Sequence, residues 1–441
     1  MSTPEDLYRE LAELLSKRKD DEVLEIEILS PGLDPLLQDG RFVGITKKAL
    51  VQAYIAARRI FFEKLARMDD HDFLAAIRGY HRNDDGDIVP DDDSIVTEII
   101  LLFDCEHLTA CNWRKRWLNA LIKRSAVRSE STKNFSSYPD DDHRLLLKLL
   151  ERERSLMTTY LCSPLHRHTK SPTLWQHRLW VMTQLMKFKF RQPCRDSTVD
   201  EKRIEEASMS AEDVQSLILA ELAVVLRAGE QHPKNYYAFS YMRQLHSAAS
   251  RFFAGVVAEA TVRKDEDSVE SSLSSQLAEC MVDQTLTWCL AHLQDVSGWT
   301  FLFYLLETIV PADEKDQDQD LRLQRQRSVV DKVIHFAVNI TAWEGESLWT
   351  FVDLMVRRFG PEILPSPFSC IWDDEMSVSS SSLIDNKSGG GKGAGRLVND
   401  TILLPDPRWK KLMEKARGLR AAGVHVDSIA SGQTGASFDH R

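Results

Sequence analysis

Apolar residues recur along this chain at positions i, i+3, i+4 and i+7, the spacing that gathers them on one face of an α-helix. The runs come in pairs. In five places a break is followed by an aromatic residue that opens an apolar helix: "CNWRKRWL" from Cys111, "PTLWQHRLWV" from Pro172, "NYYAFSYMRQL" from Asn235, "VSGWTFLFYLL" from Val296 and "GESLWTFVDLM" from Gly345. The anchors are Trp113, Trp175, Phe239, Trp299 and Trp349. Residues three, four and seven positions on share each anchor's face, for example Arg116, Trp117 and Ala120 in the first copy and Arg178, Leu179 and Met182 in the second. Another apolar helix precedes each anchor, as in "SIVTEIILLFDCEHL" from Ser94 and "AEDVQSLILAELAVVLRAG" from Ala211. Each copy is therefore predicted to be a helical hairpin, and the fold to be all-α.

The anchors lie 62, 64, 60 and 50 residues apart, more than the roughly 34 to 47 residues a helical pair needs. The excess falls in polar stretches such as "SESTKNFSSYPDDD" from Ser129, "RQPCRDSTVDEKR" from Arg191, "RKDEDSVESS" from Arg263 and "PADEKDQDQD" from Pro311, which read as surface loops. The pattern divides the chain into an N-terminal helical cap over 1–92, five hairpin repeats over 93–360, a flexible linker over 361–406 and a C-terminal amphipathic helix with its tail over 407–441. Within the cap, "ITKKALVQAYIAARRIFFEKLA" reads as helix and "EVLEIEIL" as a short strand. The last helix places Trp409, Leu412, Met413 and Ala416 on one face.

Composition narrows the function. With 441 residues, 43% of them apolar, the chain can bury a large core. Acidic residues outnumber basic ones by 67 to 56 and the basic ones are scattered, which argues against a nucleic-acid partner. The most apolar window, Leu217 to Leu226, is broken by Glu221 and too short to cross a bilayer, so no transmembrane segment is expected. The N-terminal "MSTPEDLYRELAELLSKRKDDE" lacks the pattern of a secretory signal, and the seven cysteines form no Cys-x-x-Cys pair. A cytoplasmic address is expected. No HExxH or paired-cysteine signature is present, so no metal ligands are expected in this chain.

The tandem Trp-x-x-Arg hairpins, "SPTLWQHRLW" and above all "HPKNYYAF" from His232 resemble the repeats of protein prenyltransferase alpha subunits. They are most similar to the prenyltransferase alpha-subunit repeat-containing proteins, in which long insertions separate the copies, and the resemblance covers residues 93–360. It implies a right-handed alpha-alpha superhelix, a crescent of hairpins around a beta subunit that carries the catalytic zinc and most of the isoprenoid pocket. The implied partners are that beta subunit, an isoprenoid diphosphate and a protein substrate with a cysteine near its C-terminus, which receives farnesyl or geranylgeranyl. The family's Lys-Asn-Tyr motif falls on Lys234, Asn235 and Tyr236. The resemblance implies that Lys234 and Tyr236 act catalytically on the diphosphate, with Asn235 and Tyr237 beside them as substrate-binding groups. A lysine with a phenol beside it can stabilise the charge that develops on a leaving diphosphate. Phe239 stands where tryptophan is usual, Met242 where arginine is expected and Tyr237 where histidine is frequent, and the second copy has no Lys-Asn-Tyr. The chain's end, "GASFDHR", lacks the cysteine box of a prenylation substrate.

The same residues have structural readings. The tryptophan anchors fill the space between hairpins with their indole N–H bonded to a carbonyl, and Arg116 and Arg178 tie down the preceding loop or stack on an aromatic ring. Asn235 after Pro233 suits an N-terminal helix cap with a solvated Lys234. Two functions follow: an alpha-type subunit that completes a partner's active site, or a helical-repeat adaptor with no part in prenylation.

Overall fold

A computed structural model gives the fold and describes residues 3–67, 81–82, 88–89, 92–131, 141–165, 167–189, 211–260, 267–308, 316–366, 368 and 408–426. Of the expected linker over 361–406, residues 361–366 and 368 are described, with Ile363, Leu364 and Phe368 buried, and the rest lies outside the described residues, as does the polar stretch 190–210. The chain divides into two units, Met1–Leu277 and Ala278–Arg441.

In the first unit, helix α1 (Pro4–Ser16) begins in a reciprocal cap: Thr3 Oγ1 accepts from the Asp6 amide, and Asp6 accepts from the Thr3 amide. It packs on α2 (Lys47–Leu65), whose start is capped by Thr46. Between them the structure departs from the all-α expectation. Strands β1 (Glu25–Leu29), β2 (Leu36–Asp39) and β3 (Phe42–Thr46) form a sheet of order β1-β3-β2, with β1 parallel and β2 antiparallel to β3. A short hairpin, β4 (His81–Arg82) with β5 (Ile88–Val89), follows. In "EIEIL" Ile26 is buried while Ile28 is exposed, and Gly40 at φ +56° makes the turn between β2 and β3.

The sheet is held to the repeats by a row of hydroxyls. Helix α5 (Asp141–Cys162) carries Ser155 and Thr159 one turn apart, with Ser163 one turn on. Ser155 Oγ donates to the Asp20 carbonyl at 2.9 Å, while Thr159 Oγ1 accepts from the Leu24 amide at 3.0 Å and Ser163 Oγ from the Ile26 amide at 2.9 Å. A spacing of four residues on one helical face thus satisfies successive backbone groups of the N-terminal segment.

The helical pairs of this unit are α3 (Asp92–Phe103) with α4 (Leu108–Ser131), α5 with α6 (Pro172–Lys189), and α7 (Ala211–Gln231) with α8 (Tyr236–Ala260). The second helices are neighbours, α4 on α6 and α6 on α8. Helix α9 (Asp267–Ala291) contains the division between the units. The second unit continues with α10 (Val296–Thr308), α11 (Asp316–His335), a π-helical turn Phe336–Ile340, α12 (Glu346–Phe359) and α13 (Arg408–Ala421). Helix α13 packs on α12 with Leu412 and Ala416 buried, and Arg417 and Arg420 both reach Glu344. Three polar stretches expected as loops are helical in part, since α4 runs to Ser131 and α5 begins at Asp141, α9 begins at Asp267 and α11 at Asp316. Acidic residues there suit a first turn because they face the positive end of the helix dipole.

Candidate functional site

Three second helices open on the same joint, while the fifth copy has Gly345 at the cap position and no side-chain cap. A cap residue accepts a hydrogen bond from the amide three residues on: Ser171 Oγ from Leu174 at 3.1 Å, Asn235 Oδ1 from Ala238 at 3.2 Å, and Asp295 Oδ1 from Gly298 at 3.1 Å. One residue further lies the anchor, and Trp175, Phe239, Trp299 and Trp349 are all buried. Three indoles donate to the carbonyl six residues upstream: Trp175 to Thr169 at 2.8 Å, Trp299 to Leu293 at 3.1 Å and Trp349 to Trp343 at 3.0 Å. The indole therefore closes the turn from beneath while its rings fill the core. In the fourth copy Gly298 is required, because a Cβ there would meet the Trp288 ring at 2.5 Å.

The first copy has a different frame from the one its tryptophan suggested. His107 Nδ1 accepts from the Ala110 amide at 3.2 Å, so the cap is His107, the anchor position belongs to Cys111 and the arginine position to Arg114. Trp113 is buried but serves elsewhere, edge-on to Phe61 and stacked with Trp117. Arg116, expected as a repeat anchor, is exposed. With Cys111, Trp175 and Phe239 as equivalents, the first two intervals become equal at 64 residues.

The arginines at this position are buried in ion pairs with the first helix of the next hairpin. Arg114 Nε donates to Glu153 at 2.8 Å, and Arg178 makes two 2.8 Å bonds to Glu221 through Nε and Nη2. Arg178 also donates to the Arg154 carbonyl and to Thr158. Burial raises the Glu153 carboxyl, but Arg114 and His177 outweigh it and hold the group well below the usual carboxylate range. Glu221 is lowered in the same way, burial opposed by Arg178 and Tyr241. At His177 burial opposes the charge, while Cys111 and Glu153 lift the imidazole to about 9. The third copy has buried Met242 in place of the arginine. None of Glu153, His177, Glu221 and Tyr241 was singled out from sequence. Glu221 left a trace there, as the charged residue interrupting the most apolar window.

The Lys-Asn-Tyr turn is built on this frame. Asn235 is wholly buried and uses both ends of its amide, Oδ1 as the cap and Nδ2 in a 2.7 Å bond to the Thr169 carbonyl. In this structure it mounts the turn on the preceding repeat, its amide engaged at both ends. On either side the chain turns outward. Lys234 sits in the left-handed region at φ +59° with its side chain exposed, Tyr236 is 61% exposed and Tyr237 42%, and the two rings meet edge to face at 5.7 Å. A non-glycine residue in that region is uncommon, and it aims Lys234 away from the core that holds Asn235. Among the described residues, no group of three or more His, Cys, Asp or Glu side chains is placed to hold a metal, and no helix is long and apolar enough to cross a membrane.

Comparison with known proteins agrees with this geometry. The protein prenyltransferase alpha subunit repeat matches residues 218–249, which run from α7 through the Lys234 turn into α8. A relative from Danio rerio, "Protein prenyltransferase alpha subunit repeat-containing protein 1", is 27% identical over 210 residues, a span of 46% of this chain and 43% of that protein. The chain thus matches less than half the length of that relative.

Proposed function

We propose that this chain is the alpha-type subunit of a heterodimeric protein prenyltransferase, a helical scaffold that completes an active site held by a beta subunit in the cytosol. The observation that carries the reading is the division of labour at 234–236, where Asn235 is locked into the frame and its two neighbours are turned out. A cation and a phenol held at fixed spacing beside a bound farnesyl or geranylgeranyl diphosphate stabilise the negative charge that grows on the leaving diphosphate as its carbon–oxygen bond breaks. Lys234 supplies the ammonium and Tyr236 a phenolic donor, while Tyr237 braces Tyr236 and contacts substrate from the side. In this reading the zinc that would activate the attacking thiolate is held by the partner. The hairpins would stack as a right-handed superhelix whose inner face meets that partner. The test is co-expression with prenyltransferase beta subunits. A stable complex that transfers isoprenoid to a C-terminal cysteine supports the reading, and no complex with any of them leaves the adaptor function.

A further inference from the structure

The segment that follows residue 407 is held to the second unit as a peptide ligand is held. Helix α13 buries Leu412 and Ala416, four residues apart on one face, and packs on α12. Gly423, at φ +69°, ends the helix: the Val424 amide donates to the Leu419 carbonyl and the Gly423 amide to the Arg420 carbonyl, both at 3.0 Å. Three residues on, Asn339 takes hold of the main chain. Its Oδ1 accepts from the Val426 amide at 3.3 Å, its Nδ2 donates to the Val426 carbonyl at 2.9 Å, and His335 Nδ1 lies 3.1 Å from the same carbonyl. The Val426 side chain is buried. A side-chain amide that engages both backbone groups of one residue reads the main chain as a neighbouring strand does.

The surface that receives the segment is built without it. The π-helical turn closes on itself, the Thr341 amide donating to the Phe336 carbonyl at 3.0 Å, and turns of this kind recur at functional sites. Trp343 ties the next stretch down, its amide donating to the Ala337 carbonyl at 2.9 Å and its carbonyl accepting from the Trp349 indole. None of these bonds uses residues 408–426. The segment's own ties are modest by comparison. Besides Leu412, Ala416 and Val426 they include the ion pairs of Arg417 and Arg420 with Glu344, in which Arg417 is 56% exposed, and an exposed pair contributes little. Residues 369–407 join the segment to the rest of the unit, a covalent reach that allows it to leave the surface and return.

We infer that the second unit carries a peptide-binding groove, made by α12, Glu344 and the Asn339 turn, and that residues 408–426 are its ligand in cis, exchangeable for a peptide of the same chemistry in trans. The ligand class is an amphipathic helix with apolar residues at i and i+4 and arginines at i+5 and i+8, followed by glycine and a short stretch ending in valine, the pattern set by Leu412, Ala416, Arg417, Arg420, Gly423 and Val426. The tether keeps the cis ligand at high local concentration, so a peptide in trans competes against it. The inference is independent of the reaction proposed above.

The experiment uses the full chain with a specific protease site placed within Gly389–Gly395, cleaved in the folded state, and a fluorescent synthetic peptide of residues 407–427 whose binding is read by anisotropy. The cut chain is expected to take up the peptide in exchange for its own fragment, and the uncut chain to bind it at least about tenfold more weakly. Leu412→Asp in the peptide, which cannot disturb the chain's fold, and Asn339→Leu in the cut chain should each weaken uptake by about tenfold or more. Glu307→Gln, which removes an ion pair to Arg358 on the same unit, should leave uptake unchanged and serves as the control. A cut chain that never exchanges its fragment, or that unfolds when the fragment leaves, makes 408–426 a fixed part of the core and overturns the inference. Equal uptake by cut and uncut chains, or by the Leu412→Asp peptide, overturns it as well.

Discussion

Trp175 and Asn235, sixty residues apart, donate to one and the same backbone carbonyl, that of Thr169, at 2.8 and 2.7 Å. A carbonyl has two lone pairs, and here both are used: one by the anchor of the second hairpin, the other by the cap of the third. The contact fixes the turn that carries Lys234 to the core of the preceding repeat.

Removing either donor should loosen that joint. Asn235→Ala deletes a cap and a buried bond and is expected to cost about 1 to 3 kcal/mol. Trp175→Phe keeps most of the ring but loses the N–H, and about 1 kcal/mol is expected. Denaturant melts of both and of the double variant measure the coupling. Strict additivity would show that the shared carbonyl does not link the two repeats.

The buried ion pair makes a second prediction. Arg178→Met leaves Glu221 buried with Tyr241 and the more distant Arg154 as partners and should destabilise the chain by about 3 to 5 kcal/mol. Arg116→Met, at the exposed position, should shift stability by no more than about 0.5 kcal/mol. Equal losses in the two variants would contradict the frame assigned to the first copy.

His177 gives a pH dependence. Its folded value, about 9, lies above the ordinary histidine range near 6.5, so its contribution is fully present below about pH 6.5 and is lost as pH rises through about 9. The Glu153 carboxyl is depressed, and its contribution is lost on acidification below the ordinary carboxylate range. Thermal melts should therefore fall on both sides of a mildly acidic plateau that lies between the ordinary carboxylate range and about pH 6.5. His177→Gln should lower the plateau and remove the alkaline slope up to pH 9, and an unchanged slope in that variant would assign it to other groups.

Helical periodicity and the aromatic anchors were legible in the sequence because a hairpin stack repeats its core contacts at fixed spacing. The frame of the first copy was not, since Trp113 sits two residues after the anchor position and its bulk outweighed Cys111 in the pattern. The sheet was legible only as one strand, because β2 and β3 take their register from each other and from the Gly40 turn, which periodicity along the chain does not report. The ion pairs join residues 39 and 43 positions apart, so no local signal links them. At the candidate site the motif was visible, but its split between a buried Asn235 and an exposed Lys234 and Tyr236 needed the turn's three-dimensional path.

The most direct measurement of the central claim is isoprenoid transfer by the complex with a beta subunit, comparing wild type with Lys234→Ala and Phe239→Ala and melting each in parallel. The account predicts that Lys234→Ala lowers transfer by roughly ten- to a thousandfold, with stability within about 0.5 kcal/mol of wild type. Phe239→Ala, which empties a buried anchor, should instead lose about 3 to 5 kcal/mol of stability, with activity falling only in step with unfolding. Full activity in Lys234→Ala would contradict the account and leave the motif as a helix cap on a helical adaptor.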